Sequence, residues 1–273
     1  MAGQEGGDWL APMEWSAIIW AGLSGAVAGA IMAGVEGLLA KTAGERIGRR
    51  ARHALATAAF LLVFLPLREY PGRYELLARL SPLLPARLAF QLRIEQHGRR
   101  MMEVPGVERM LRAAPSKAAA LDVMKQLTAK GIARLDDTML LQRAILFSRM
   151  LAVSSEASCA AFARGAPTED LLMSALQADP AMLDGWFNMT FQAAVAEVEQ
   201  RPVPQLSDAQ VDRALAALRA RLPGDQATRV LAALGGPDKL SDRDLCWAAR
   251  TLYETATAMP DPERALLLRA LTQ

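Results

Sequence analysis

The chain has 273 residues and a formal net charge of only +2, so we expect no broad basic face and no nucleic-acid partner. Hydrophobic residues make up 52% of the chain and aromatic residues 5%, so Ala and Leu dominate. This composition favours helix over sheet and predicts an all-α protein. Arg far outnumbers Lys, which together with the Ala content is typical of a GC-rich bacterial coding sequence.

The N-terminal region predicts a membrane anchor. Residues 1–15 form an acidic tail that carries Glu5, Asp8 and Glu14 but no Lys or Arg. Residues 16–35 contain no charged side chain. A helix of that length covers roughly 30 Å, the thickness of the hydrocarbon core of a bilayer. We therefore predict a retained transmembrane helix over about residues 16–40.

Small residues recur at every fourth position of this predicted helix: Ala21, Gly25, Gly29, Ala33 and Gly37. Such a smooth face lets a second backbone approach closely, and in lipid this close packing is what holds helices together. The pattern predicts a glycine zipper, through which the helix packs in a hairpin or the chain forms a homo-oligomer.

A second apolar stretch, about residues 52–67, is short for a transmembrane helix, so we keep both a helical hairpin and a single anchor helix as interpretations. The cations between the two stretches and at the start of the second are Lys41, Arg46, Arg49, Arg50 and Arg52. Positively charged loops stay in the cytoplasm. If both apolar stretches cross the bacterial inner membrane, the large domain therefore lies in the periplasm. A single crossing places that domain in the cytoplasm instead.

Beyond the membrane anchor (residues 16–68), Pro and Gly divide residues 69–116 into short amphipathic pieces that predict a connector. A helical-hairpin domain is expected over residues 117–273. Helices are predicted at 117–130, ending at Gly131, and at 137–153, 155–164, 168–178 and 181–200.

The C-terminal block contains an internal repeat, with copies at residues 206–234 and 240–271 that each begin with Leu-Ser-Asp. Ser207 with Gln210 and Ser241 with Asp244 have the spacing of helix N-caps. Two copies are fewer than a solenoid usually needs, so a helical-hairpin bundle and a short α-solenoid are both open.

Residues with catalytic or metal-binding patterns are scarce. His53 and His97 leave little room for a histidine triad or a zinc site, and His97 is expected near a helix end. Cys159 and Cys246 are interpreted as buried apolar thiols, which could pair in an oxidising compartment if their Cα atoms come within about 7 Å. We predict no catalytic residue, no metal site and no cofactor, and therefore a protein that is not an enzyme.

The richest aromatic cluster is Trp186, Phe187 and Phe191, which we interpret as core, with an exposed partner surface as the alternative. These features favour a membrane-anchored scaffold or assembly factor that contacts the lipid bilayer and binds another protein in a bacterial envelope complex. A pore or transport component that oligomerises through the small-residue helix is the second interpretation.

Overall fold

The structure, a computed structural model, describes residues 85–272. In this range the chain is all-helical and has no strands, which confirms the predicted all-α class there. The predicted acidic tail, both predicted membrane helices, the cationic loop and the first part of the connector lie outside the described residues. Among the helices that are described, none combines the length and the apolar character needed to cross a membrane.

Eleven α-helices and a 3₁₀ turn make up this part of the chain. In order they are α1 Ala86–Met102, α2 Pro105–Arg112, α3 Lys117–Ile132, α4 Asp137–Val153, α5 Glu156–Ala163, α6 Glu169–Ala178, α7 Pro180–Val198, α8 Asp208–Arg221, α9 Gln226–Gly235, the 3₁₀ turn Pro237–Lys239, α10 Asp242–Ala258 and α11 Glu263–Ala270. Residues 97–272 belong to one compact unit, and residues 85–96 belong to a second.

Helix starts follow the polar caps expected from the sequence. Ser207 accepts a hydrogen bond from the backbone N–H of Gln210, whose side chain accepts one from the Ser207 N–H. Ser241 accepts from the Asp244 N–H at 3.2 Å. These bonds satisfy backbone donors that have no partner within the first turn of a helix. Asp136, Ser155 and Thr168 cap α4, α5 and α6 in the same way.

Helix α7 packs against α2, α3, α4 and α6, and its contact with α3 includes a glycine. The helix predicted to end at Gly131 instead continues through it to Ile132. A Cβ atom at Gly131 would lie 1.8 Å from the backbone oxygen of Ala193 on α7. Gly131 therefore serves as a packing residue at which two helix backbones meet, and the predicted helix stop is wrong.

The two C-terminal repeat copies each contain two helices, α8 with α9 and α10 with α11. Contacts between the copies are more extensive than those within them, because α8 packs chiefly against α11 and α9 packs against α10. Helix α10 also packs against α4 and α5, which connects the C-terminal block to the preceding helices. Buried apolar side chains on these helices, including Leu218, Leu252 and Leu267, belong to one hydrophobic cluster with residues of α4.

Arginine side chains bind main-chain carbonyl groups where helices end. Arg269 of α11 is 4% exposed and donates to the carbonyl oxygens of Ala133 and Leu135, just beyond α3, at 3.1 and 2.7 Å. Its guanidinium also pairs with the carboxylate of Asp137, in the first turn of α4. These contacts join the last helix to the α3–α4 connection, about 130 residues earlier in the chain.

We expect Arg269→Met to lower the free energy of unfolding by about 2 to 3 kcal/mol, because methionine keeps the packing of the stem but leaves carbonyl acceptors without a donor. The measurement is urea unfolding of the purified full-length chain, read by pulse proteolysis. Arg112→Met is the matched control, since Arg112 is 63% exposed and its ion pair with Glu108 lies within one helix. Its effect should stay below about 0.5 kcal/mol, and equal losses in the two variants would contradict a special role for Arg269.

Candidate functional site

The predicted partner residues lie on α7, and contacts within the domain cover each of them in part. Trp186 packs against Phe147 of α4 and Phe162 of α5, with ring centroids 5.7 and 6.1 Å apart. Tyr253 of α10 completes this aromatic cluster by meeting Phe147 edge-on at 5.5 Å. Trp186 therefore contributes to the hydrophobic core that joins α4, α5, α7 and α10.

Phe187 and Phe191 lie on another face of α7, where they contact the C-terminal half of α1. Phe187 stacks on the His97 ring with centroids 4.7 Å apart, and the guanidinium carbon of Arg100 lies 3.9 Å above the Phe191 ring. The two phenylalanines are four residues apart and so share one helix face, whereas Trp186 is rotated from Phe187 by about 100°. The three predicted residues thus do not form one continuous patch.

His97 lies inside α1 and not near its end, so the sequence-based placement of this residue is wrong. The Thr190 hydroxyl donates to the Phe187 carbonyl at 3.0 Å, so it accepts a hydrogen bond from Nε2 of His97 at 3.2 Å. Burial, assisted by the positive charge of Arg100, lowers the pKa of His97 from 6.5 to about 4. The imidazole is therefore neutral at physiological pH.

Because of this lowered pKa, we expect the stability of the domain to fall as the pH is lowered from about 6.5 to about 4. In that window the imidazole takes up a proton in the unfolded chain but stays neutral in the native one, so protonation favours unfolding. The loss should reach about 3 kcal/mol at pH 4, measured by pulse proteolysis across the pH range. His97→Gln should remove this part of the pH dependence. If stability depends on pH in the same way in that variant, the pH dependence comes from other titrating groups.

A groove with a volume of about 240 Å³ runs between α4 and α7. Its lining includes Ile145, Leu146 and Arg149 on α4 and Ala181, Gly185 and Asn188 on α7. A Cβ at Gly185 would touch a Leu146 methyl group at 3.4 Å, so the absence of a side chain there keeps the groove open. The Ile145 side chain is apolar yet 44% exposed.

Polar groups border this groove. Arg149 forms an ion pair with Asp179, the N-cap of α7, at 2.6 Å, and the Asn188 side-chain oxygen accepts a hydrogen bond from Arg100 at 3.3 Å. An apolar floor with polar borders is the usual composition of a protein-binding groove. The groove was not among the features predicted from the sequence, although two small residues four apart on one helix face, Ala181 and Gly185, could have indicated it.

Cys159 of α5 and Cys246 of α10 form a disulfide, with their Cα atoms 5.2 Å apart. The side chains are 0% and 1% exposed, so the expected burial is confirmed. The prediction that these cysteines are free thiols is therefore wrong. The structure contains the disulfide, which was the alternative left open from the sequence. The bond connects two helices whose cysteines are 87 residues apart in the chain.

Within residues 85–272, no group of three or more His, Cys, Asp or Glu side chains is arranged to hold a metal ion. Comparison of the chain with protein-family models, with curated proteins and with solved structures gave no match. The function proposed below is therefore based on the residues and geometry of this chain.

Proposed function

We propose that this chain is a membrane-anchored helical scaffold or assembly factor that binds a protein partner in a bacterial envelope complex. The groove between α4 and α7 is the observation that carries the proposal. It combines an exposed apolar wall at Ile145, a floor kept open by Gly185 and polar borders at Arg149 and Asn188. A side chain from a partner helix fits this kind of surface better than a reacting substrate does.

The proposed architecture is an N-terminal helical hairpin, packed through the glycine zipper at Gly25 and Gly29, followed by a helical bundle. Of the two arrangements open from the sequence, the bundle has the better support. In a solenoid each repeat packs on its neighbour in chain order, whereas here the first helix of one copy packs on the last helix of the other.

We further propose that the large domain lies in the periplasm. The cations between Lys41 and Arg52 favour a cytoplasmic loop, and the Cys159–Cys246 disulfide is typical of an oxidising compartment. Alkaline phosphatase fused after Gln273 should be active on this topology. A fluorescent GFP fusion at the same position, with an inactive phosphatase fusion, would instead place the domain in the cytoplasm.

Site-specific photo-cross-linking in cells tests the scaffold proposal. A photoreactive phenylalanine at position 145 should give one cross-linked partner in membranes containing the full-length chain. The same probe at position 234 is the matched control, because Leu234 is 42% exposed, close to the 44% of Ile145, but lies on α9 and outside the groove. Cross-links of equal intensity at both positions would indicate nonspecific collisions and contradict the proposal.

A second variant tests whether the groove itself binds the partner. Gly185→Leu places a bulky side chain in the groove and should abolish the cross-link from position 145. Gly235→Leu is its control, since a Cβ at Gly235 has no atom within 4 Å. Cross-linking that survives Gly185→Leu would show that the partner binds elsewhere on the chain.

The alternative function, a pore or transport component, is supported by the small-residue stripe of the predicted membrane helix. Full-length protein reconstituted into dye-loaded liposomes distinguishes the two functions. Dye release that disappears in the Gly25→Leu/Gly29→Leu double variant, together with loss of oligomers in detergent, would favour the pore. Intact liposomes together with a specific cross-link from position 145 would favour the scaffold.

A further inference from the structure

We infer that the Cys159–Cys246 disulfide is introduced by an exported thiol oxidase while the domain is still open, and that the native fold then shields it. This inference rests on the proposed periplasmic location. The chain is then a substrate of a thiol oxidase, which is a second kind of partner besides the scaffold partner.

Burial excludes oxidation of the finished fold by another protein. Thiol–disulfide exchange requires a thiolate that attacks along the axis of a sulfur–sulfur bond, so both sulfurs must be reachable. Cys159 and Cys246 are 0% and 1% exposed and lie in a hydrophobic cluster with Phe147, Leu171 and Met182. A folded oxidase has no access to either sulfur once these side chains are packed.

The surrounding helices indicate when the bond must form. Helix α10 packs closely against both α5 and α4, so the two cysteines come together when α10 docks. Arg250 of α10 then donates to the carbonyl oxygens of Leu151 and Ser154 at the end of α4, at 2.9 and 2.8 Å. Oxidation therefore precedes or accompanies the docking of α10.

Chain order indicates which cysteine reacts first. Cys159 precedes Cys246 by 87 residues, so during export it reaches the oxidising side alone. Its thiolate attacks the oxidase disulfide, one oxidase sulfur leaves as a thiolate, and a mixed disulfide forms. The Cys246 thiolate then attacks the Cys159 sulfur and releases the second oxidase thiolate.

Protons and electrons balance over these two exchanges. The two cysteines lose two protons and two electrons, and the oxidase disulfide becomes a dithiol. The chain contains only these two cysteines, so no wrong pairing within the chain competes. A thiol oxidase is sufficient, and a disulfide isomerase is not needed.

The test follows the thiol state of the full-length chain in bacterial cells. Cultures are quenched with acid, free thiols are alkylated with a polyethylene-glycol maleimide, and the chain is detected by its gel mobility. In normal cells we expect no alkylated thiols, and in cells lacking the exported thiol oxidase we expect two. Oxidation that is equally complete without the oxidase would overturn the inference.

Single variants test the order of the two exchanges. In Cys246→Ala the mixed disulfide has no internal thiol to resolve it, so a reductant-sensitive adduct of the chain with the oxidase should accumulate. Cys159→Ala is the matched control and should give several-fold less adduct, because Cys246 is exported late. Equal or reversed adduct levels would overturn the proposed order.

Shielding by the native fold is measured on the purified full-length protein in detergent. Dithiothreitol should reduce the disulfide at least ~100-fold more slowly in buffer than in urea at concentrations that unfold the domain. Equal rates would show that the bond is accessible in the native state and would overturn the burial argument.

A phosphatase fusion after Gln273 separates this inference from the proposed topology. Reduced cysteines in normal cells together with an active fusion would overturn oxidation by an oxidase while leaving the periplasmic location intact. Reduced cysteines with an inactive fusion would overturn both, because the domain would then lie in the cytoplasm.

Discussion

Reduction of the Cys159–Cys246 disulfide is expected to lower the free energy of unfolding of the helical domain by about 4 kcal/mol. The cross-link closes a loop of 87 residues, and a loop of that size removes much of the conformational freedom of the unfolded chain. The native contacts change little, so the effect should appear mainly in the unfolded state. The measurement is urea unfolding of the purified full-length chain, read by pulse proteolysis with and without reductant.

The double variant Cys159→Ala/Cys246→Ala separates the cross-link from packing. Both side chains are fully buried, so removing the sulfur atoms leaves a cavity in the native state. This cost adds to the loss of the cross-link, which gives the unfolded chain more conformational freedom. We therefore expect the double variant to be less stable than the reduced wild-type chain. Oxidised and reduced wild-type chains that differ by less than about 1 kcal/mol would contradict the loop-closure account.

Gly131→Ala is expected to lower the free energy of unfolding by about 3 kcal/mol or more. Its Cβ would lie 1.8 Å from the oxygen and 2.4 Å from the carbonyl carbon of Ala193, and both are backbone atoms that no rotamer change can move. The α3 and α7 backbones would have to separate, and many small packing contacts between the two helices would be lost with them.

Gly98→Ala is the matched control for this substitution. Gly98 also lies inside a helix, but a Cβ there would have no atom within 4 Å. Alanine has the higher helix propensity, so this variant should be more stable than the wild type by up to about 1 kcal/mol. If both variants were destabilised equally, the effect would reflect a general property of helical glycines and not the approach of α3 to α7.

The sequence alone was sufficient to predict the all-α class and the residues at which several helices begin. The predicted boundaries of 137–153 match α4, because the cap at Asp136 and the apolar spacing lie within one short segment. The caps at Ser207 and Ser241 were predictable for the same reason: the acceptor and the backbone donor are only three residues apart. Local signals of this kind need no knowledge of distant contacts.

The predicted stop at Gly131 and the position of His97 illustrate the limit of local signals. A glycine can end a helix or let another backbone approach, and which of these occurs depends on what lies opposite. At Gly131 the opposing residue is Ala193, about sixty residues later in the chain. For His97, the stacking on Phe187 and the hydrogen bond with Thr190 also come from a distant helix, whose packing helps to bury the imidazole, and burial is the main cause of its lowered pKa.

The candidate site was partly predictable. The aromatic residues on α7 were recognisable in the sequence, and because Trp186 and Phe187 are adjacent they already implied two different helix faces. The groove itself depends on how α4 lies against α7, and the disulfide depends on α10 docking on α5. Helix periodicity determines which side chains share a face, but many helix pairings bury similar apolar area. Only the tertiary packing selects one of them, and it thereby determined the groove, the disulfide and the environment of His97.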